Sequence, residues 1–150
     1  MKLIVAGSRS ITSYNTVRDA IRASGFTSQI TEIVSGCAKG VDASGDQWAQ
    51  INSIPVKRFP ANWDKYGKLS GQMRNYEMAE YADALVAVWD GESRGTAHMI
   101  QVMRNLNKSV FIWQKCALCN GTGQIAVVTN AVVTGEANAC SNCDRGWQVG

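Results

Sequence analysis

Five short apolar runs divide the first 113 residues into a regular alternation, and that alternation constrains the fold more than any other feature of the chain. The runs are KLIVAG (2–7), EIVSG (32–36), IPVKRFP (54–60), DALVAVWDG (83–91) and SVFIW (109–113). Runs of this kind, several ending at glycine, suit strands buried on both faces of a parallel sheet. Helical segments separate them. YNTVRDAIRAS places Val17, Ala20, Ile21 and Ala23 on one face before Gly25 stops it. VDASGDQWAQINS, QMRNYEMAEYA and GTAHMIQVMRNLN read as further helices, and prolines at both ends keep the third strand short. Strand–helix alternation implies right-handed crossovers and a parallel sheet covered by helices on both faces. The predicted fold class is therefore α/β and Rossmann-like over residues 1–113.

Composition bears on the rest. The chain of 150 residues is 45% hydrophobic, enough for a real core. No apolar stretch approaches the roughly 18 residues of a membrane span, and the run from Lys2 into LIVAG lacks a signal-peptide pattern. A soluble, cytoplasmic protein is the expectation. Net charge is +3 and dispersed, too little to argue for nucleic acid as a partner, and without an apolar span no membrane partner is expected.

From Gln114 the apolar periodicity fades. Four of the five cysteines stand there as two C-x-x-C pairs, Cys116 and Cys119, then Cys140 and Cys143. Without a secretion signal, such pairs read as metal before disulfide, and four thiolates complete a closed tetrahedral site. The expected cofactor is one structural zinc ion. QIAVVTNAVVTG between the pairs is β-branched with a central asparagine and suits a hairpin. Residues 114–150 are thus expected to form a zinc ribbon-like module. The first knuckle resembles half of a DnaJ-type cysteine-rich module, and the second departs from it.

Three strand-to-helix turns carry anion-binding chemistry. AGSRS (6–10) offers glycine, a hydroxyl and the planar fork of Arg9. SGCAKGVD (35–42) holds two glycines, a lysine and Asp42. DGESRGTAH (90–98) opens a helix at Gly95 and Thr96, whose free N–H groups attract phosphate. In a doubly wound sheet, all three lie beyond the carboxyl ends of the strands, where ligands bind. Asp42 either holds a ribose hydroxyl or caps the following helix. Asp64 and Lys68 either contact a ligand or are solvated, Trp48 and Trp63 read mainly as packing, and His98 as a structural or rim group.

These motifs, with FPANWDKYGKLSGQMRNYEMAEYADALVAVWDG and SRGTAHMI, resemble the SLOG superfamily, and most closely its YspA or cpYpsA-related branch. The resemblance runs from about Val5 to Val110. It implies a Rossmannoid domain that binds a nucleotide or nucleotide-derived ligand. By position it implies Gly7, Ser8 and Arg9 at the phosphate end, and Ser35, Gly36, Gly40 and Asp42 as a second wall. Arg74 and Asn75 would reach in from a helix, with Gly95 and Thr96 cradling phosphate. Two departures stand out. Cys37 occupies a position where the family more often has glycine. Met99 stands where the Lonely Guy phosphoribohydrolases of the superfamily carry a glutamate, and methionine offers no charge to an oxocarbenium ion.

The resulting expectation is a binding protein, without a catalytic residue assigned, that senses or sequesters an ADP-ribose-like or cyclic nucleotide ligand, in a bacterial or phage setting. One alternative is an N-glycosidic hydrolase using Arg74 with Asp42, Asp64 or Glu92 as acid. Another is the handling of single-stranded DNA. A homodimer is expected through Met99, Val102, Met103 and Leu106 of GTAHMIQVMRNL.

Overall fold

In the computed structural model, residues 1–115, 127–129, 132–134 and 147–149 are described. The chain begins with β1 (Lys2–Gly7), α1 (Tyr14–Ala23), β2 (Glu32–Ser35), α2 (Val41–Ile51) and β3 (Val56–Arg58). It continues through a one-turn α3 (Trp63–Tyr66), α4 (Ser70–Tyr81), β4 (Ala84–Trp89), α5 (Arg94–Asn105) and β5 (Ser109–Lys115). Three short strands follow, β6 (Val127–Thr129), β7 (Val132–Thr134) and β8 (Trp147–Val149).

The main sheet has the order β3-β2-β1-β4-β5-β8. Its first five strands are parallel, as the alternation implied, and β8 joins the β5 edge antiparallel. The sheet alternation divides the core in two. Leu3, Val5, Val86, Val88 and Trp113 face one way and pack with Val17, Ile21 and Trp48 of α1 and α2. Ile4, Leu85, Ala87 and Ile112 face the other way, against Met78 of α4 and Met99 and Met103 of α5. Because successive strand side chains point to opposite faces, the central strands β1 and β4 need apolar residues at nearly every position. That requirement is why the runs read as continuous rather than alternating.

Three details differ from the sequence reading. The connection over residues 60–69 contains helical turns. Asn62 Oδ1 accepts from Lys65 N–H at 3.1 Å, and the Ser70 hydroxyl donates to the Asn62 and Gly67 carbonyls. The fifth strand runs two residues past Trp113 and pairs Lys115 with Trp147, so the tail contributes an edge to the main sheet. Finally, Met99, Val102 and Met103 are buried against the chain's own sheet, leaving only Leu106 of that set exposed. The apolar surface expected for dimerisation is core, because α5 needs that stripe to cover β4 and β5.

In the tail, β6 and β7 pair antiparallel, Val127 opposite Thr134, as the expected hairpin requires. Cys116, Cys119, Cys140 and Cys143 lie outside the described residues. No helix among the described residues is long and apolar enough to cross a membrane.

Candidate functional site

The chain leaves β1 on one side, toward β2, and returns through β4 on the other, so the strand order reverses between β1 and β4. At this switch point the diverging turns leave a crevice beyond the strand ends. A cavity of about 430 Å³ occupies it.

Its walls are held together across large sequence separations. At Gly7 an added Cβ would fall 1.9 Å from the Val88 carbonyl oxygen, so only glycine lets β1 pass β4 here. Ser8 N–H then donates to Val88 O, and Ser8 Oγ accepts from Asp90 N–H at 3.1 Å. The first and third turns are thereby joined. Gly40 has φ +75°, and an added Cβ would lie 2.6 Å from Arg9 O, so the second turn packs directly on the first.

Gly7, Ser8, Arg9, Gly36, Asp42, Arg74, Asn75, Gly95 and Thr96 all line the cavity. Ser35 and Gly40 do not, and each shapes a turn instead. Ser35 is buried, its Oγ accepting from Cys37 N–H and its carbonyl from Phe59 N–H. Gly40 supplies the close approach just described.

Two arginines bring positive charge. Arg9 comes from the β1–α1 turn and Arg74 from the first half of α4. Arg74 Nη1 donates to the Gly36 carbonyl, while its buried Nε has no hydrogen-bond partner among the described residues. The start of α5 adds N–H donors. Ser93, the residue before the helix, makes no side-chain cap; its hydroxyl accepts from Thr96 Oγ1 at 3.2 Å instead. The first N–H groups of the helix therefore have no intrahelical acceptor. Nothing lies within 4 Å of a Cβ built on Gly95, so the approach to these donors is open.

Two carboxyls share the same walls. Asp42, in the first turn of α2, is 5% exposed. Burial pushes its pKa up from 3.8 to about 6, against the opposing pull of Ala38 N–H and Arg74; Asp46 raises it further. Asp90 behaves in the opposite sense. Partial burial favours its neutral form, but N–H donors from Glu92 and Ser93, at 2.8 and 2.9 Å, outweigh that and hold it ionised. Asp90, Ser93, Ser10, Ala38 and Met78 are lining residues that the sequence reading did not select. For Asp90 the available signal was its place just past β4, in the WDG that ends the fourth run.

Asn75 connects the wall to the α5 start. Its Nδ2 donates to Gly95 O at 3.2 Å and lies 3.1 Å from His98 Nδ1. Burial lowers the His98 pKa, so a neutral ring accepting at Nδ1 fits this contact. Met99 lines the floor at 1% exposure. Asp64, Lys68, Glu92 and Trp63 are exposed and outside the cavity, and Trp48 is core. Cys37 is exposed and outside it too, with φ +61°, which explains why a glycine suits this turn.

The sequence model of the YspA, cpYpsA-related SLOG family matches residues 1–66. The Gene 61 protein of Mycobacterium phage D29 is 31% identical over 107 residues, which cover 67% of this chain and 86% of that protein. Among solved structures, DNA processing protein A (DprA) from Streptococcus pneumoniae has a TM-score of 0.61 at 19% identity. That alignment covers 74% of this chain and 49% of the DprA chain, so the present chain spans about half the length of that neighbour. A likeness at this identity is one of fold.

Proposed function

This chain belongs to the YspA, cpYpsA-related SLOG family, and from that premise we propose that its cavity binds a nucleotide-derived small molecule through a phosphate group. The observation that supports this reading is convergence. Arg9, Arg74 and the uncapped start of α5 meet on one cavity at the switch point of the sheet. Guanidinium forks and helix N-termini both favour phosphate oxygens. A volume of about 430 Å³ exceeds what a lone phosphate fills and suits a nucleotide-sized ligand. Met78 and Met99 supply an apolar floor for the uncharged part. ADP-ribose-like compounds and cyclic nucleotides are the first candidates for a sensor or a sequestering protein.

Native mass spectrometry of the purified protein, with identification of any small molecule released on denaturation, tests this reading. A co-purifying nucleotide, or calorimetric binding of one member of a nucleotide and ADP-ribose panel, supports it. Absence of both overturns it.

One observation favours a second reading, hydrolysis of an N-glycosidic bond. Asp42 combines a place in the cavity with a pKa near 6, the range of a general acid at neutral pH. Of the three acids considered for that role, Asp64 and Glu92 lie outside the cavity. Release of free base from a nucleoside monophosphate panel, abolished in Asp42→Asn, would move the conclusion to an enzyme. DprA is, as its name says, a DNA processing protein. With a net charge of only +3, DNA binding here would have to show itself as oligonucleotide affinity that falls steeply with salt.

A further inference from the structure

We propose that the cavity takes up one proton, on Asp42, when it takes up a doubly charged anion, so that Asp42 sets the charge the site accepts. This rests on the anion-binding reading above. Asp42 is 5% exposed and lines the cavity, yet no cation lies within ion-pair distance of it among the described residues. Arg74 is the cation that acts on it most, but one arm of that guanidinium is committed to the Gly36 carbonyl. Backbone N–H groups also act on it, that of Ala38 at 3.3 Å and that of Gly36 more weakly.

The charged groups around Asp42 come from every neighbouring element. Arg74 of α4 and Asp46 of its own helix act on it directly, while Arg9 of the β1–α1 turn and Asp90 of the β4–α5 turn line the same cavity. A phosphate-type dianion entering this space meets two carboxyls. N–H donors from Glu92 and Ser93 favour the carboxylate of Asp90, so it takes up a proton less readily than Asp42. At Asp42 the balance runs the other way: the Ala38 and Gly36 N–H groups favour the carboxylate, but burial outweighs them. Its burial already favours the neutral acid, and an anion beside it favours that form more strongly. Protonated, it also becomes an O–H donor toward the anion.

The test uses inorganic sulfate, which keeps its double charge from about pH 5 to pH 8, so that ligand titration does not intervene. Binding is followed on the amide resonances of Gly95 and Thr96, and the Asp42 carboxyl carbon is followed in parallel. The expected result for the wild type is little change in Kd below about pH 6 and roughly tenfold weakening per pH unit above it. The Asp42 carboxyl carbon should titrate at higher pH with sulfate than without. In Asp42→Asn the dependence disappears, and affinity near pH 7.5 approaches that of the wild type near pH 5. Equal wild-type affinity at both ends of the range overturns the coupling and leaves the anion site standing. A dependence that persists in Asp42→Asn assigns the proton to His98, beside Asn75, and overturns it equally. Failure of sulfate to perturb Gly95 and Thr96 in either protein overturns the anion site itself, and the coupling with it.

Discussion

Replacing Asp42 by asparagine should make this protein more stable, and the size of the gain should depend on pH. Asp42 is nearly inaccessible to water and forms no ion pair among the described residues, so its ionised form bears the cost of burial. The rise from 3.8 to about 6 corresponds to roughly 3 kcal/mol, at 1.36 kcal/mol per pH unit. The sign follows from which state binds the proton. Below about pH 3.8 the carboxyl is neutral folded and unfolded, and it contributes no pH-dependent penalty. Between about 3.8 and 6 the unfolded chain releases the proton first, and wild-type stability falls. Above that window the penalty is complete and constant. Asparagine keeps the shape and the acceptor for Ala38 N–H but never charges. The variant should therefore exceed the wild type by up to about 3 kcal/mol at pH 7, and by almost nothing near pH 3.5. For a chain of this size, that corresponds to a Tm gain of roughly 6–12 °C at neutral pH. Urea unfolding of both proteins, followed by tryptophan fluorescence at several pH values, measures the difference directly. Any effect of pH on the cysteine tail is common to both chains and cancels. A variant less stable than the wild type at pH 7, or a gap that is the same at acid and neutral pH, would refute the reasoning. It would mean that the donors facing Asp42 outweigh its burial.

Three further expectations concern separate parts of the molecule. Arg74→Ala removes a guanidinium whose charge-assisted bonds are each worth about 1.5–3 kcal/mol, so affinity for the ligand found by mass spectrometry should fall roughly 10- to 100-fold by calorimetry. Its folding stability in urea unfolding should fall as well, by about 1–3 kcal/mol, because the Gly36 carbonyl loses the bond it accepts from Nη1. Cys37→Gly relieves a non-glycine residue at φ +61° and should raise stability by about 0.5–1 kcal/mol in urea unfolding, with nucleotide affinity unchanged. Elemental analysis should find one zinc ion per chain, and Cys140→Ser should lower that stoichiometry; a chain free of metal after purification without chelator would reject the four-cysteine site.

Much of the architecture was legible because it is written in short-range patterns. The buried strands show as apolar runs, and Val17, Ala20 and Ile21 show the buried face of α1 by their helical spacing. The glycines at positions 7 and 40 marked turns, and the family motifs pointed at Arg9, Arg74, Gly95 and Thr96, which do line one cavity. Other features exist only because distant segments meet. Ser8 and Asp90 stand 82 residues apart and share a hydrogen bond that joins the first and third turns, a contact that no short-range pattern shows. Ser35 looked like a wall residue from its neighbours, yet its hydroxyl turns inward to hold the backbone of Cys37. Met99, Val102 and Met103 gave α5 an apolar stripe that fitted a partner or a sheet equally well, and packing against the chain's own sheet decided between them. Local periodicity, turn chemistry and charge are thus properties the sequence by itself determines for this protein. Which loops share a cavity, and whether a carboxyl such as Asp42 keeps its proton, were decided by the tertiary structure, because register and desolvation depend on atoms that only folding brings together.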